Sequence, residues 1–216
     1  MTDLVLGIDV GTTSAKAVLI ARDGTLHGRG SSDPIPTRSP EPGGSEQDPY
    51  ELRQAVAVAC RRALGDTDTR PRVLAVAAGA QSGSLVAIGS DDEPVGPVIT
   101  WLDTRSRPLL DSWPSEVRER VRAVSGWSAL PGLGLASICW LRQCRPEQFG
   151  DACRFASADD LVTRWLTGRW VSNPSNASGL QLMDVGELRW SDELCELAGI
   201  SPRQLSALQP TGSVHG

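Results

Sequence analysis

The sequence predicts an α/β fold: a mixed sheet with helices packed on it, followed by a helical extension. Two patterns point to it. The first thirty residues alternate short apolar runs with glycine turns, whereas from Trp101 onward apolar residues recur at helical spacing. Size is a third constraint. With 216 residues, 40% of them hydrophobic, the chain can build a sizeable core, which excludes wholesale disorder. At roughly 100–200 residues per domain, this is one large domain or two small ones.

Leu4-Val5-Leu6-Gly7-Ile8 is a continuous apolar run, as expected of a strand covered on both faces. A turn follows at Asp9-Val10-Gly11-Thr12-Thr13, then a strand over 15–20, a hairpin turn at Arg22-Asp23-Gly24 and a third strand over 25–30. No helix follows the first glycine loop, so this is not a Rossmann or P-loop opening. Residues 31–47 are rich in Pro, Ser and Gly and read as a surface loop. Asp48 as N-cap, Pro49 at the first position and Glu51 at the third open a helix. Its apolar face carries Leu52, Val56, Ala59, Cys60 and Ala63, and Gly65 stops it.

Strands are predicted over 73–77, Leu85–Ile88 and 98–101. Val117, Val121 and Val124 then share a helix face closed by Gly126, and Leu135, Ile138, Cys139 and Leu141 another that ends before Pro146. Ser157-Ala158-Asp159-Asp160 opens a third helix ending at Thr167-Gly168. Ser191 and Ser201 cap two shorter ones, the second with Pro202 and Gln204 in capping-box positions. There is no internal repeat and no low-complexity tract.

Composition excludes several functions. A net charge of -5 and a pI near 5.1 argue against binding nucleic acid. No apolar run approaches the roughly 20 residues of a membrane helix. Met1-Thr2-Asp3 lacks the basic-then-apolar pattern of a signal peptide, so a cytoplasmic location without membrane attachment is expected. Five cysteines contain no CxxC pair, which points to ordinary thiols in a reducing compartment rather than a zinc cluster. The two histidines, His27 and His215, lie near no nucleophile motif, so triad hydrolysis has little support. The scattered tryptophans read mainly as core or interdomain anchors. Asp91-Asp92-Glu93 reads as a solvated turn, and Arg118, Arg120 and Arg122 among Glu116 and Glu119 as ordinary surface.

Chemistry concentrates at the first turn. Asp9 at the end of a strand costs desolvation energy unless a metal or hydrogen bonds compensate it. Gly11 lets backbone N–H groups approach an anion, and Thr12 and Thr13 add hydroxyls. Lys16, the only lysine in the chain, stands on the next strand. Together they suit a phosphate-and-magnesium cradle formed by a hairpin; a plain β-turn that merely satisfies its own backbone is the alternative.

This opening resembles that of the FGGY carbohydrate kinases, which share the ribonuclease H-like fold of the actin/Hsp70/sugar-kinase superfamily. Further segments follow in the same order: Ser45-Glu46-Gln47-Asp48-Pro49, Gln81, Trp101-Leu102-Asp103-Thr104-Arg105, Trp140-Leu141, Leu166-Thr167-Gly168 and Ser175-Asn176-Ala177-Ser178-Gly179. The likeness covers nearly the whole chain, and the Trp101 and Ser175 segments lean towards the pentulose (xylulose) kinases.

The resemblance implies ATP-dependent phosphorylation of a sugar, ketose or polyol hydroxyl. Asp9 would organise Mg2+ and its waters. Gly11, Thr12 and Thr13 would hold the terminal phosphates, and Lys16 would neutralise charge developing on them. Gln81 would border the sugar through its amide and Trp101 through its ring face, with Ser82, Gly83 and Asp103 beside them. An Asp103–Arg105 pair reads equally as structural. Small residues after Gln81, where a large or charged pair is usual, leave room for a bulkier ligand, or mean that selection has moved elsewhere or been lost.

Residues 1-216 then form a single N-terminal, sugar-side domain. The nucleotide-binding C-terminal domain and the general base are expected beyond Gly216, in cis or in trans, so the chain alone is expected to be inactive. Homodimerisation stays open. Two other readings stand beside this one: a non-catalytic sugar-binding or regulatory module derived from a sugar kinase, and an actin-like or Hsp70-like ATPase lobe, against which the later motifs speak.

Overall fold

The computed structural model describes residues 3–65 and 72–216; the Met1-Thr2 start read above lies outside them. Chain contacts divide into two compact units. The first comprises the residues up to Thr37 with Gln47–Gln81, and the second Arg38–Glu46 with Ser82–Gly216.

In the first unit the expected meander is present as β1 (Asp3–Val10), β2 (Ala15–Ala21) and β3 (Leu26–Ser31). A two-residue strand β4 (Glu46–Gln47) sits at the boundary between the units. Then come helix α1 (Pro49–Leu64) and β5 (Arg72–Ala80), which is longer than the 73–77 read from sequence. The sheet order is β3-β2-β1-β5, antiparallel except that β5 runs parallel to β1.

Alternate residues of β1 and β2 (Leu4, Leu6, Ile8, Ala17, Leu19) are buried on the side that α1 covers with Leu52, Val56, Ala59 and Ala63. Asp48 caps α1 by accepting from the Tyr50 and Glu51 N–H groups, and Gly65 ends it at a φ of 71°. Strand β3 lies close against the helix backbone. A Cβ on Gly28 would come 2.0 Å from the Ala63 carbonyl oxygen, and one on Gly30 2.2 Å from that of Ala59.

The other face of this sheet differs from expectation. Val5 and Val18 are exposed there, although the apolar run in β1 reads as a strand covered on both sides, and on the edge strand β5 Leu74 and Val76 are exposed too, Val76 on the Leu6 side of the sheet. Hydrophobicity records a cover that the described residues do not provide.

The second unit contains β6 (Leu85–Ile88), β7 (Val98–Ile99), α2 (Arg107–Asp111), α3 (Ser115–Ser125), α4 (Gly134–Cys144) and α5 (Pro146–Asp151). It continues with β8 (Arg154–Ser157), α6 (Ala158–Thr167), β9 (Val171–Ser172), α7 (Pro174–Ala177), β10 (Met183–Asp184), β11 (Arg189–Trp190), α8 (Asp192–Ala198) and β12 (Ala207–Leu208). Its main sheet has the order β4-β7-β6-β8, so the strands at 85 and 98 leave the meander and build a second sheet. β10 and β11 form a small hairpin, and β12 runs parallel to β9.

Leu85, Ile99, Leu135, Ile138, Phe155 and Leu182 belong to its core. Helix α4 is buried on nearly every side from Gly134 to Leu141, which explains its apolar composition. Ser157 and Asp160 form a reciprocal capping box on α6, and Gly168 stops it at a φ of 73°. Ser191 caps α8, but the segment that Ser201 caps is a 3₁₀ turn, Pro202–Gln204. No helix among the described residues is long and apolar enough to cross a membrane.

Candidate phosphate cradle and sugar cavity

The cradle is built by the bend between β1 and β2. Gly11 N–H donates to the Ser14 carbonyl at 3.1 Å and closes the turn, so this amide is not available to an anion. A Cβ on Gly11 would meet the Ser14 oxygen at 3.4 Å, an ordinary contact. Packing within the chain therefore does not impose glycine here; what it does is leave the approach to the bend without a side chain.

Asp9 and Lys16 are direct cross-strand partners on the open face of the sheet, and both are exposed. Among the described residues neither side chain has a hydrogen-bond or ion-pair partner. An acid and a base that are neighbours yet unpaired are both available to a ligand. The Thr13 hydroxyl is likewise unpartnered among the described residues, while its carbonyl accepts from Ile35 N–H at 2.8 Å.

Thr12 is different. Its hydroxyl donates to Gln81 Oε1 at 3.1 Å, Gln81 Nε2 donates to Gln47 Oε1 at 2.8 Å, and Gln47 Nε2 donates to the Thr12 carbonyl at 2.6 Å. The Gln81 N–H also donates to the Val10 carbonyl, fixing the end of β5 to the end of β1. Both ends of the Gln81 amide thus have partners within the first unit. Gln47, fully buried, is a residue that sequence reasoning passed over, reading it only as part of a helix-opening motif.

The second unit holds a cavity of about 500 Å3, with Ser82, Trp101, Thr104, Arg107, Trp127 and Leu133 in its wall. The two tryptophans of the wall are 47% and 46% exposed. Glycines let the walls close up. A Cβ on Gly179 would lie 2.2 Å from Ser82 Oγ, and one on Gly83 2.5 Å from Leu133 Cδ2. The room expected beside Gly83 is therefore filled by Leu133.

Asp103 borders the cavity, but its carboxylate is engaged by the surrounding chain. It accepts from Ser45 N–H and from Arg105 Nε, each at 2.9 Å, and from Arg105 N–H at 2.9 Å. Arg105, whose side chain is 4% exposed, also meets Glu41 at 2.9 Å and Glu46 at 2.7 Å and stacks 4.0 Å from the Trp140 ring centroid. Burial alone would pull its pKa down, but hydrogen bonds to Asp103 and Glu41 outweigh this and raise it.

Among the described residues no three His, Cys, Asp or Glu side chains gather as a metal cage. One open carboxylate with adjacent hydroxyls does fit magnesium carried on phosphates, because Mg2+ keeps most of its waters and takes one or two carboxylates.

The model of the FGGY family of carbohydrate kinases, N-terminal domain, matches residues 4–216. Gluconokinase of Bacillus subtilis is 31% identical over 219 residues, covering 99% of this chain and 42% of the relative. Xylulose kinase of Lactococcus lactis is 29% identical over 94% of this chain and 41% of its own length. Among solved structures, gluconate kinase from Lactobacillus acidophilus superposes with a TM-score of 0.92 at 25% identity, over 100% of this chain and 44% of the other. The chain spans less than half the length of each of these relatives.

Proposed function

We propose, because the chain belongs to the FGGY family of carbohydrate kinases as their N-terminal domain, that it is the sugar-side part of an ATP-dependent kinase acting on a sugar, ketose or polyol hydroxyl. The observation that carries this reading is the unpaired Asp9–Lys16 couple beside the Gly11-Thr12-Thr13 bend. Residues 1-216 act as one domain in this reading. A C-terminal domain, in cis or in trans, supplies the remaining nucleotide contacts and the general base. The greater length of the relatives and the uncovered apolar sheet face support it. Five free cysteines suit a cytoplasmic setting.

Phosphoryl transfer depends mainly on positioning and charge stabilisation. Magnesium, when bound with ATP, neutralises polyphosphate charge and orients its oxygens. Asp9 would hold the ion, and the Thr13 hydroxyl would donate to a phosphate oxygen. Lys16 stabilises the charge that grows as the phosphoryl group moves. Gln81 and Gln47 keep Thr12 in place. In the second unit, the Trp101 ring supports the C–H face of the sugar, with Ser82, Gly83 and Asp103 shaping the wall around it.

An ATP-coupled assay over a panel of ketoses, polyols and sugar acids tests this. The chain alone is expected to give no sugar phosphate. Joined to the C-terminal part of the Bacillus subtilis gluconokinase, it is expected to turn over, and Asp9→Ala to cost roughly 10²–10³-fold with unchanged circular dichroism. Robust turnover by the chain alone, or an active fusion indifferent to Asp9→Ala, would overturn the reading. Binding of sugar without any turnover in the fusion would favour the non-catalytic module instead.

A further inference from the structure

We propose that the cavity of the second unit selects a sugar bearing a negative charge, a sugar acid, and that Arg107 is the residue that selects it. The proposal rests on the reading of this chain as the sugar side of a carbohydrate kinase. It starts from the charges in the cavity wall. Two lining residues are charged, Asp103 and Arg107. Asp103 is paired with Arg105, whose Nη2 lies 2.8 Å from Oδ2, and its oxygens also accept two backbone N–H groups, so its carboxylate is already engaged. Arg107 is exposed, and among the described residues its guanidinium has no carboxylate or carbonyl partner. Arg107 is therefore the charged group of the cavity wall that no other described side chain pairs.

The rest of the wall specifies what accompanies the charge. Trp101 and Trp127 offer ring faces suited to C–H groups, and Ser82 and Thr104 carry hydroxyls. This is chemistry for a hydroxyl-rich chain or ring with apolar C–H faces. A guanidinium adds a planar fork that matches a carboxylate in two parallel, charge-assisted hydrogen bonds, and a neutral polyol lacks that charge. Discrimination arises because a neutral ligand would cover the guanidinium without supplying a counter-charge.

The test uses the 216-residue chain and ligand-detected NMR, which registers millimolar binding. D-Gluconate is the charged probe; D-glucitol and D-xylulose are the neutral ones. The expected result is gluconate binding at least tenfold tighter than glucitol at low salt, with the gap narrowing as salt is added. Arg107→Gln should remove the gap and its salt dependence, chiefly by weakening gluconate, with circular dichroism unchanged, and Arg107→Lys should restore part of it. Equal binding of gluconate and glucitol, or a preference that survives Arg107→Gln, would overturn the proposal and leave the sugar-kinase reading intact. Failure of all three probes to bind would overturn the assignment of this cavity to sugar, and this proposal with it.

Discussion

Arg105 shows how much one side chain can fix. It is surrounded by Asp103, Glu41 and Glu46 and lies over Trp140, so the loop around residues 41–46 and the segment after β7 share one buried cation. Removing one member of a buried ion network leaves the others uncompensated, which costs about 3–5 kcal/mol. Arg105→Ala is therefore expected to lose about that much in urea unfolding at neutral pH. Its pH dependence has a definite sign. The hydrogen bond from Arg105 holds the Glu41 carboxyl below its ordinary 4.5. A lowered acid stabilises the fold fully above that value and ceases to do so as pH falls through its folded-state pKa. The gap between parent and variant should thus narrow on acidification; a constant gap would refute the assignment. The Asp103–Arg105 pairing was visible in sequence as two residues at a suggestive spacing, but its acidic partners from the 41–46 loop were not, since pattern carries no record of which loop folds onto which strand.

At the scale of elements, the sequence was most legible where local chemistry decides structure. Asp48, Ser157 and Ser191 begin their helices and Gly65, Gly126 and Gly168 end theirs, because caps and left-handed stops act over a few residues. Helices α2, α5 and α7 escaped because four to six residues are too few to display a period. Strand β8 runs directly into the Ser157 cap and left no turn to announce it. In the site, the Asp9–Lys16 register followed from a short hairpin, whereas the Gln47–Gln81–Thr12 ring needed residues 34 and 69 positions apart to meet. Strand β3 offers the element-scale prediction. Gly30→Ala would force a methyl group into the backbone of α1, and overpacking of this kind costs about 1–3 kcal/mol. Thermal unfolding should fall accordingly, while Gly24→Ala, with nothing within 4 Å of the added carbon, should show only the strain of its φ of 87°.

For the molecule as a whole, the uncovered sheet is the dominant fact. Val5 and Val18 lie exposed on the face away from α1, and β5, with Leu74 and Val76 exposed, is a nine-residue strand at the sheet edge. Flat apolar faces and unpaired edges invite association. The isolated chain is therefore expected to bind an apolar dye and to sediment with a concentration-dependent mass, and Val18→Lys to diminish both without loss of ellipticity. A strictly monomeric, dye-silent chain would show that this face needs no cover. The run in β1 had announced a two-sided strand, so sequence recorded the requirement while the described residues display it unmet.

The solitary Lys16 has a practical corollary. Apart from the α-amino group, it is the one primary amine in the chain, and it stands in the open opposite Asp9. Acylating reagents would consequently footprint a single side chain, so that shielding by a polyphosphate could be read at one peptide in a mass spectrum, with no engineered tag and no background from elsewhere on the surface.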